Sequence, residues 1–312
     1  MAFAPLIPLR AQEDLQSFLD NLMTGRRGAV LVANPATGEI LAVWNAKAAF
    51  GNTYPPGSTA KLVEAAALLE ERKLAPAERL SCRGVPELLG ESHRCSHPRV
   101  GFPFDLKTAL AYSCNYFFSA MSVRLPASSL AHWYGVFGFG TPVENQVSES
   151  NPGRVRIPEE APRKALAALG EDTVLVTPAQ LLLAYSAVAT RGKVMRVRKP
   201  GKRTEDPPRP LRELDLRPET FDVLSEGLEA CVQSGTCQAA AVSGVRVAGK
   251  TGTATALDRS GATHAWFAGY APADSPEIAL VVFLERGTGA HDAAPLAGEI
   301  LRRYFQSEAR KP

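Results

Sequence analysis

The chain has 312 residues, a formal net charge of +3 and a hydrophobic fraction of 45%. This length and apolar content suffice for a sizeable core, in one large domain or two modest ones. No stretch gathers enough Lys and Arg to follow a phosphate backbone, which argues against a nucleic-acid partner. The first residues lack a signal-peptide pattern, and no run reaches the roughly 18 consecutive apolar residues of a membrane span.

The first part of the chain predicts a helix, a hairpin and a second helix. Residues 15–23 have the pattern of a short amphipathic helix, and "GAVLVANPATGEILAVWN" predicts two strands around an Asn-Pro-Ala-Thr-Gly turn. In "YPPGSTAKL", two prolines and a glycine interrupt regular structure immediately before a serine. We expect a helix to begin there and to end near Lys73.

The middle of the chain predicts mainly helices. After a loop-rich region, "LKTALAYSCNYFFSAMSVRL" is apolar enough on most sides to predict one buried helix. Residues 138–163 read as an exposed connection, rich in Pro, Gly, Ser and Glu. "TPAQLLLAYSAVATRG" predicts a helix that Thr177 caps and Gly192 ends, and a further helix is expected over residues 218–232.

The last third changes to the period of strands. "VRVAGKTGTA", "THAWFAGYAP" and "EIALVVFLE" predict three strands, followed by a helix over about 294–305. Their short connections imply antiparallel neighbours. Together with the hairpin they predict an α+β fold, in which helices flank a five-stranded antiparallel sheet and a mostly helical lobe is inserted. We expect one domain over 1–312, with a sheet lobe at about 12–57 and 240–308 and a helical lobe at about 58–239.

The break before Ser58 would expose that residue as a nucleophile. At the start of a helix, unpaired backbone N–H groups and the helix dipole favour a developing negative charge. Lys61 follows at i+3 on the same helix face. If burial and a second cation lower its pKa, the neutral amine can accept the proton of Ser58. By itself, however, Ser-x-x-Lys is better explained as an N-cap serine with a surface lysine.

Two further motifs favour the catalytic interpretation of Ser58 and Lys61 over the N-cap interpretation. "SCN" (Ser113, Cys114 and Asn115) and "KTGT" (Lys250 to Thr253) each occur once, in this order along the chain. Ser-x-x-Lys, a serine-asparagine pair and Lys-Thr-Gly together are the signature of class A β-lactamases and penicillin-binding proteins. From about Gln12 to Phe305 the chain resembles the transpeptidase domain of penicillin-binding proteins, particularly the monofunctional peptidoglycan D,D-transpeptidases.

The resemblance implies a β-lactamase/transpeptidase-like fold and a reaction. Peptidoglycan stem peptides ending in D-Ala-D-Ala would be cross-linked through an acyl-enzyme on Ser58, which β-lactams would also form. The implied catalytic residues are Ser58, Lys61, Ser113, Asn115 and Lys250. Backbone N–H groups of Ser58 and Thr253 would form the oxyanion hole, while Thr251, Gly252 and Thr253 would bind the substrate.

The resemblance also implies partners and a location. No cofactor is expected, and the partners would be stem peptides, β-lactams as covalent inhibitors and other wall-synthesis proteins. The family acts at the extracytoplasmic face of the bacterial inner membrane, so we expect that location, although the sequence predicts neither a signal peptide nor a membrane span. One departure is Glu171-Asp172 after Gly170, where the family usually carries Gly-Gln-Gly.

Two other functions stay open. A β-lactamase or D,D-carboxypeptidase would pass the acyl group to water and needs a group that activates it, for which Glu159, Glu160 and Glu171 are candidates. A β-lactam sensor or non-catalytic scaffold is a further alternative, against which the intact motif set argues.

The five cysteines are too few for a disulfide scaffold. Cys82 and Cys95 flank a short loop and either form a disulfide in an oxidising compartment or stay as thiols. Cys114 is assigned to packing. A metal site is not expected, because His93 and His97 near Cys95 lack the paired-cysteine spacing of zinc sites.

Overall fold

The structure is a computed structural model that describes residues 9–199, 208, 210–258 and 260–308. Residues 1–8, on which the signal-peptide prediction partly rests, lie outside these ranges. The helices are α1 (Leu9–Met23), α2 (Ala46–Gly51), α3 (Lys61–Glu70), α4 (Leu106–Ala111), α5 (Asn115–Met121), α6 (Ala127–Val136), α7 (Ala161–Ala168), α8 (Pro178–Ala189), α9 (Pro218–Gln233) and α10 (Ala294–Glu308). The strands are β1 (Gly28–Ala33), β2 (Ile40–Trp44), β3 (Arg154–Val155), β4 (Val174–Leu175), β5 (Lys193–Met195), β6 (Pro210–Glu213), β7 (Ala248–Thr255), β8 (Thr263–Ala271) and β9 (Ile278–Leu284). In the described ranges, no helix has the length and apolar character needed to cross a membrane.

A five-stranded sheet in the order β2-β1-β9-β8-β7 is the centre of the fold. Its neighbouring strands are antiparallel throughout, so the hairpin and the three late strands form the sheet that the sequence predicts. Strand β7 lies at one edge, with one row of its backbone groups unpaired by the sheet. The Lys-Thr-Gly-Thr motif is on this edge strand.

Both faces of the sheet are covered, which explains why its strands are apolar on both sides. Along β8, Trp266 and Tyr270 face one hydrophobic cluster while Ala265 and Phe267 face the other. Helix α8 packs on the first face, and α1 and α10 pack on the second. Complete burial of a side chain the size of Phe267 contributes about 1.5–3 kcal/mol.

Three of the predicted helices form close to their expected bounds. Thr177 caps α8 by accepting a hydrogen bond from the backbone of Gln180, whose side chain in turn accepts one from the Thr177 N–H. This reciprocal pair satisfies two of the backbone donors that a helix start leaves unpaired. Helices α9 and α10 span the predicted segments and run slightly beyond them.

The prediction of one buried helix through the Ser-Cys-Asn motif is wrong. The backbone leaves helix α4 after Ala111 and enters α5 at Asn115, and Ser113 between them has a left-handed φ of 54°. Apolar periodicity reports that both segments are buried, but it carries no information about a single strained residue between them. The break matters because it directs both Ser113 and Asn115 towards the start of α3.

Candidate active site

The Ser58 segment is a short 3-10 turn, Gly57–Ala60, that runs directly into α3. The Lys61 N–H donates to the Ser58 carbonyl, so Ser58 and Lys61 are one 3-10 turn apart. Ser58 keeps partial solvent exposure, whereas Thr59 and Ala60 beside it are buried. The prolines and glycine therefore start a helix at this serine, as the sequence predicts.

Hydrogen bonds from distant elements hold this turn. The Trp266 indole on β8 donates to the Pro55 carbonyl at 2.9 Å. From α8, the Tyr185 hydroxyl donates to the Thr59 carbonyl at 3.0 Å. These two side-chain donors and the carbonyls they contact are thus paired, and the two bonds fix the turn against the sheet and the helical lobe.

Glycine allows the edge strand to press against the same turn. A Cβ on Gly252 would lie 2.7 Å from the Pro56 carbonyl oxygen, and a Cβ on Gly57 would lie 2.6 Å from the Thr253 oxygen. Gly57 also has a φ of +53°, which side-chain-bearing residues rarely adopt. Ser58 and Thr253 are thereby brought into adjacent backbone segments, as an oxyanion hole would require.

Lys61 joins this turn to the Ser-Cys-Asn motif. Its side chain is fully buried, and Nζ donates to the Ser113 carbonyl at 2.8 Å, to the Ser113 hydroxyl at 3.2 Å and to Asn115 Oδ1 at 2.6 Å. Burial lowers the pKa of Lys61 to about 8, although the nearby Cys114 and Cys95 act in the opposite direction. The structure thus brings together three of the predicted catalytic residues.

Lys250 supplies a second buried amine. Its side chain on β7 is fully buried, and its Nζ donates to the Thr251 carbonyl at 3.1 Å. Burial, and then repulsion from Lys61, holds the pKa of Lys250 well below its usual range. The effect of Lys61 on the pKa of Lys250 indicates that the two lysines lie near each other. The sequence predicts that burial and a second cation together lower the pKa of Lys61; burial does lower it, but no second cation is among the causes.

The two threonines of the Lys-Thr-Gly-Thr motif have different surroundings. Thr251 is buried, and its hydroxyl lies 2.6 Å from the hydroxyl of Thr236, a residue that sequence reasoning missed. Thr253 is exposed, and its hydroxyl accepts a hydrogen bond from the Gly289 N–H at 3.0 Å. Only Thr253 therefore presents its hydroxyl at the surface of the site.

Glu171 lies at the open edge of β7. Its two carboxylate oxygens each lie 3.2 Å from the Thr255 backbone nitrogen. The Thr255 N–H donates to this carboxylate and therefore points away from β8. Because alternate N–H groups of a strand point the same way, the Thr253 N–H also faces this edge. Burial raises the pKa of Glu171 to about 7, against the opposing effects of Thr255 and Lys61. The other carboxylate candidates, Glu159 and Glu160, are exposed.

The structure gives Cys82 and Cys95 as thiols, one of the two alternatives that the sequence leaves open, and it adds a disulfide elsewhere. A disulfide joins Cys231 to Cys237, a pair that the sequence analysis did not consider. Cys82 and Cys95 are free thiols whose sulfur atoms lie 3.7 Å apart, and Cys114 is a buried free thiol. The end of α9 after Cys231 turns the chain back within six residues, a short-range signal that could have indicated the pairing.

The antiparallel sheet, with a Ser-x-x-Lys turn beside a Lys-Thr-Gly edge strand, defines the fold class of penicillin-recognising serine proteins. The chain belongs to the family described as the penicillin binding protein transpeptidase domain, which matches residues 28–305.

Several named relatives support this assignment. Peptidoglycan D,D-transpeptidase MrdA of Acinetobacter baumannii is 26% identical, over 96% of this chain and 53% of the relative. Peptidoglycan D,D-transpeptidase PbpA of Mycolicibacterium smegmatis is 28% identical over 86% and 65%, and stage V sporulation protein D of Bacillus subtilis is 30% identical over 91% and 50%. The chain therefore spans about half to two thirds of the length of these relatives.

Solved structures have the same fold. The crystal structure of Pseudomonas aeruginosa PBP2 in complex with WCK 5153 superposes with a TM-score of 0.82 at 25% identity, covering 98% of this chain and 76% of that one. The transpeptidase domain of Burkholderia pseudomallei penicillin-binding protein 3 superposes with a TM-score of 0.81 at 22% identity, covering 97% and 95%.

Proposed function

We propose that this chain is a serine D,D-transpeptidase that joins peptidoglycan stem peptides through an acyl-enzyme on Ser58. The observation that carries the proposal is the buried Lys61 amine, one turn after Ser58 and hydrogen-bonded to Ser113 and Asn115. A lysine removed from water in this way is suited to exchanging a proton near neutral pH. With a pKa of about 8, roughly a tenth of the Lys61 amines would be neutral at pH 7.

In the acylation step, Ser58 Oγ attacks the carbonyl carbon of the penultimate D-Ala. Its proton passes to Lys61 Nζ as the Oγ–C bond forms. The bond to the terminal D-Ala then breaks, and the leaving amine takes up a proton through the Ser113 hydroxyl, which lies 3.2 Å from Lys61 Nζ. The amino group of a second stem peptide attacks the ester, forming the new amide and returning a proton to Ser58.

The oxyanion of each tetrahedral intermediate would accept hydrogen bonds from the N–H groups of Ser58 and Thr253. Each such donor contributes roughly 3–4 kcal/mol to transition-state stabilisation in enzymes where it has been removed. The close approach of Gly57 and Thr253 supports this pairing of donors. The Thr253 N–H belongs to the open edge of β7, where a substrate lying antiparallel would add as a strand.

The terminal carboxylate of the stem peptide would bind beside Lys250 and the exposed Thr253 hydroxyl. The Thr251 hydroxyl is paired with that of Thr236, so Thr251 would contribute to substrate binding through its backbone groups and by holding the strand in place. We propose that the whole chain forms this one unit, with the sheet and helical lobes at the predicted boundaries. By its resemblance to the family, it would act at the extracytoplasmic face of the inner membrane with other wall-synthesis proteins.

Hydrolysis of the acyl-enzyme is the second candidate function, and Glu171 favours it. A carboxylate with a pKa of about 7 at the edge of the site has the basicity to take a proton from water. Its distance along the strand from Thr253 argues against it, because Glu171 contacts Thr255, two residues beyond the proposed oxyanion donor.

Labelling with a fluorescent penicillin, followed by intact mass, tests these functions. A long-lived adduct that disappears in Ser58→Ala and persists in the exposed control Ser128→Ala supports the acyl-enzyme. Formation of cross-linked product from purified stem peptides would then distinguish the transpeptidase from a sensor. Rapid turnover of the adduct would favour hydrolysis. The absence of any adduct on folded protein would refute both the transpeptidase and the hydrolase function.

A further inference from the structure

A short loop closed by a disulfide lies between the two walls of the site, the Ser-Cys-Asn turn and the Lys-Thr-Gly-Thr strand. The loop comprises residues 234–236, directly after α9, and the Cys231–Cys237 disulfide spans it. Both cysteines are fully buried, whereas Thr236 between them is half-buried. Helix α9 packs against α4 on one side and against β7 on the other, so the loop at its end reaches both walls.

The loop holds the first wall through the end of α4. The Thr236 N–H donates to the Ala111 carbonyl at 3.1 Å. Ala111 is the last residue of α4, and the carbonyls at the end of a helix have no partner within it. The approach is so close that no Cβ would fit on Gly235 beside the same carbonyl. The loop thus fixes the backbone two residues before Ser113, whose left-handed conformation directs the Ser-Cys-Asn side chains to Lys61.

The loop holds the second wall through a pair of hydroxyls. The Thr236 and Thr251 hydroxyls lie 2.6 Å apart, so one donates to the other. Thr251 is on the edge strand, whose outer side has no neighbouring strand to fix it. The Thr251 carbonyl in turn accepts the hydrogen bond of Lys250 Nζ, and Thr253 follows two residues later. A shift of Thr251 would therefore move both side chains that the proposed substrate carboxylate contacts.

The disulfide keeps Thr236 within reach of both walls. In the bridged segment, the Cys237 N–H donates to the Cys231 carbonyl at 2.9 Å, and the Gly235 N–H donates to the same carbonyl at 3.1 Å. The Thr236 hydroxyl also lies 3.4 Å from the Cys231 sulfur. A covalent bridge limits the conformations open to a loop, so its side chains are already in place when a ligand binds. Without the bridge, hydrogen bonds alone would hold the loop.

We propose that Thr236 is a positioning residue for the acylation step, an inference that rests on the proposed function. Its N–H and its hydroxyl join the Ser-Cys-Asn turn to β7, and the Cys231–Cys237 disulfide holds it between them. Thr236 acts through the Thr251 hydroxyl on the wall that binds the carboxylate and through the Ala111 carbonyl on the opposite wall. The spacing of the two walls is thereby fixed before a substrate enters.

Labelling by a fluorescent penicillin and by its methyl ester tests this role. The free acid carries the carboxylate that β7 would bind and the ester does not, so the ratio of their labelling rates reports the placement of that strand. Thr236→Val removes the hydroxyl with little change in shape and should lower the ratio about tenfold, and Thr236→Ser should recover most of it. Thr24→Val is the matched control, because it removes an exposed hydroxyl bonded to the Asp20 carbonyl just after α1, and it should keep the wild-type ratio.

The disulfide has a test of its own. The double variant Cys231→Ala/Cys237→Ala should lower the same ratio by at least about threefold, and Thr236→Val should have a smaller effect in that background than in the wild type. An unchanged ratio in Thr236→Val, with both reagents slowed equally or not at all, would overturn the positioning role, because a purely structural defect slows both. Full additivity of the loop and disulfide changes would overturn the part assigned to the disulfide.

Binding without acylation separates this role from the proposed function. Ser58→Ala lacks the nucleophile and should still bind the free acid noncovalently, and Thr236→Val in that background should weaken the binding about tenfold by calorimetry. Wild-type protein that never forms an adduct would refute the acylation step, and this binding measurement would still decide the role of Thr236. Equal affinity of the two natively folded proteins, or no binding by either, would overturn that role.

Discussion

Replacing Glu171 with glutamine should make the protein more stable at alkaline pH than at acidic pH, relative to the wild type. The glutamine oxygen can still accept the Thr255 N–H bond, so the change removes mainly the charge. In the folded state, burial raises the pKa of Glu171 from its usual 4.5 to about 7. The folded protein therefore holds this proton more tightly than the unfolded chain does.

The sign of the pH dependence follows from that difference. Below about pH 4.5 the carboxyl is protonated in both states and the variant should match the wild type. As pH rises towards 7, ionisation costs the folded wild type up to about 3 kcal/mol, and the loss is complete above pH 7. Because Glu171 keeps some solvent contact, we expect a measured gain of about 1–2 kcal/mol for the variant at pH 8.

Thermal unfolding at pH 5 and pH 8 measures this effect. A gain of about 1–2 kcal/mol corresponds to an increase in Tm of roughly 2–5 °C at pH 8, with a much smaller change at pH 5. Glu159→Gln is the matched control, because that exposed carboxylate should give the same Tm difference at both pH values. A Glu171→Gln effect that is independent of pH, or larger at pH 5, would refute the assignment of a raised pKa.

Three further substitutions test other parts of the site. Lys61→Met should lower the rate of penicillin labelling about 10²–10⁴-fold while circular dichroism stays native, and labelling at the wild-type rate would contradict the role of Lys61 as base. Gly57→Ala should cost about 1–3 kcal/mol in thermal stability and slow labelling, because its φ is +53° and its Cβ would lie 2.6 Å from the Thr253 oxygen. Gly101→Ala, with open space around its Cβ, is the control, and equal effects of the two would count against the close approach. Glu64→Met should raise the stability by about 1–3 kcal/mol at pH 8. Both Glu64 oxygens are buried without a hydrogen-bond partner in the described structure, and burial raises the pKa of Glu64 well above its usual value. A Tm below that of the wild type would contradict this prediction.

The sequence by itself determined the sheet, half of the described α-helices and the three motifs. Strand periodicity and short connections are local properties, so β7, β8 and β9 and the N-terminal hairpin were predictable without knowledge of contacts. The break before Ser58 was also readable, because proline and glycine act on the backbone near their own positions. The pattern of motifs then linked Ser58, Lys61 and Lys250 to one family.

Tertiary structure decided the conformation of Ser113 and the grouping of the thiols. The left-handed residue between α4 and α5 is strained in isolation, and its hydrogen bonds to the buried Lys61, 52 residues away, help to compensate. The pKa values of Lys61 and Glu171 likewise depend on burial by segments distant in sequence. Cys82, Cys95, His97 and Cys114 meet only because the loop between α3 and α4 folds back onto the start of α5. Such groupings depend on the three-dimensional path of the chain, which cannot be predicted from the spacing of residues along the sequence.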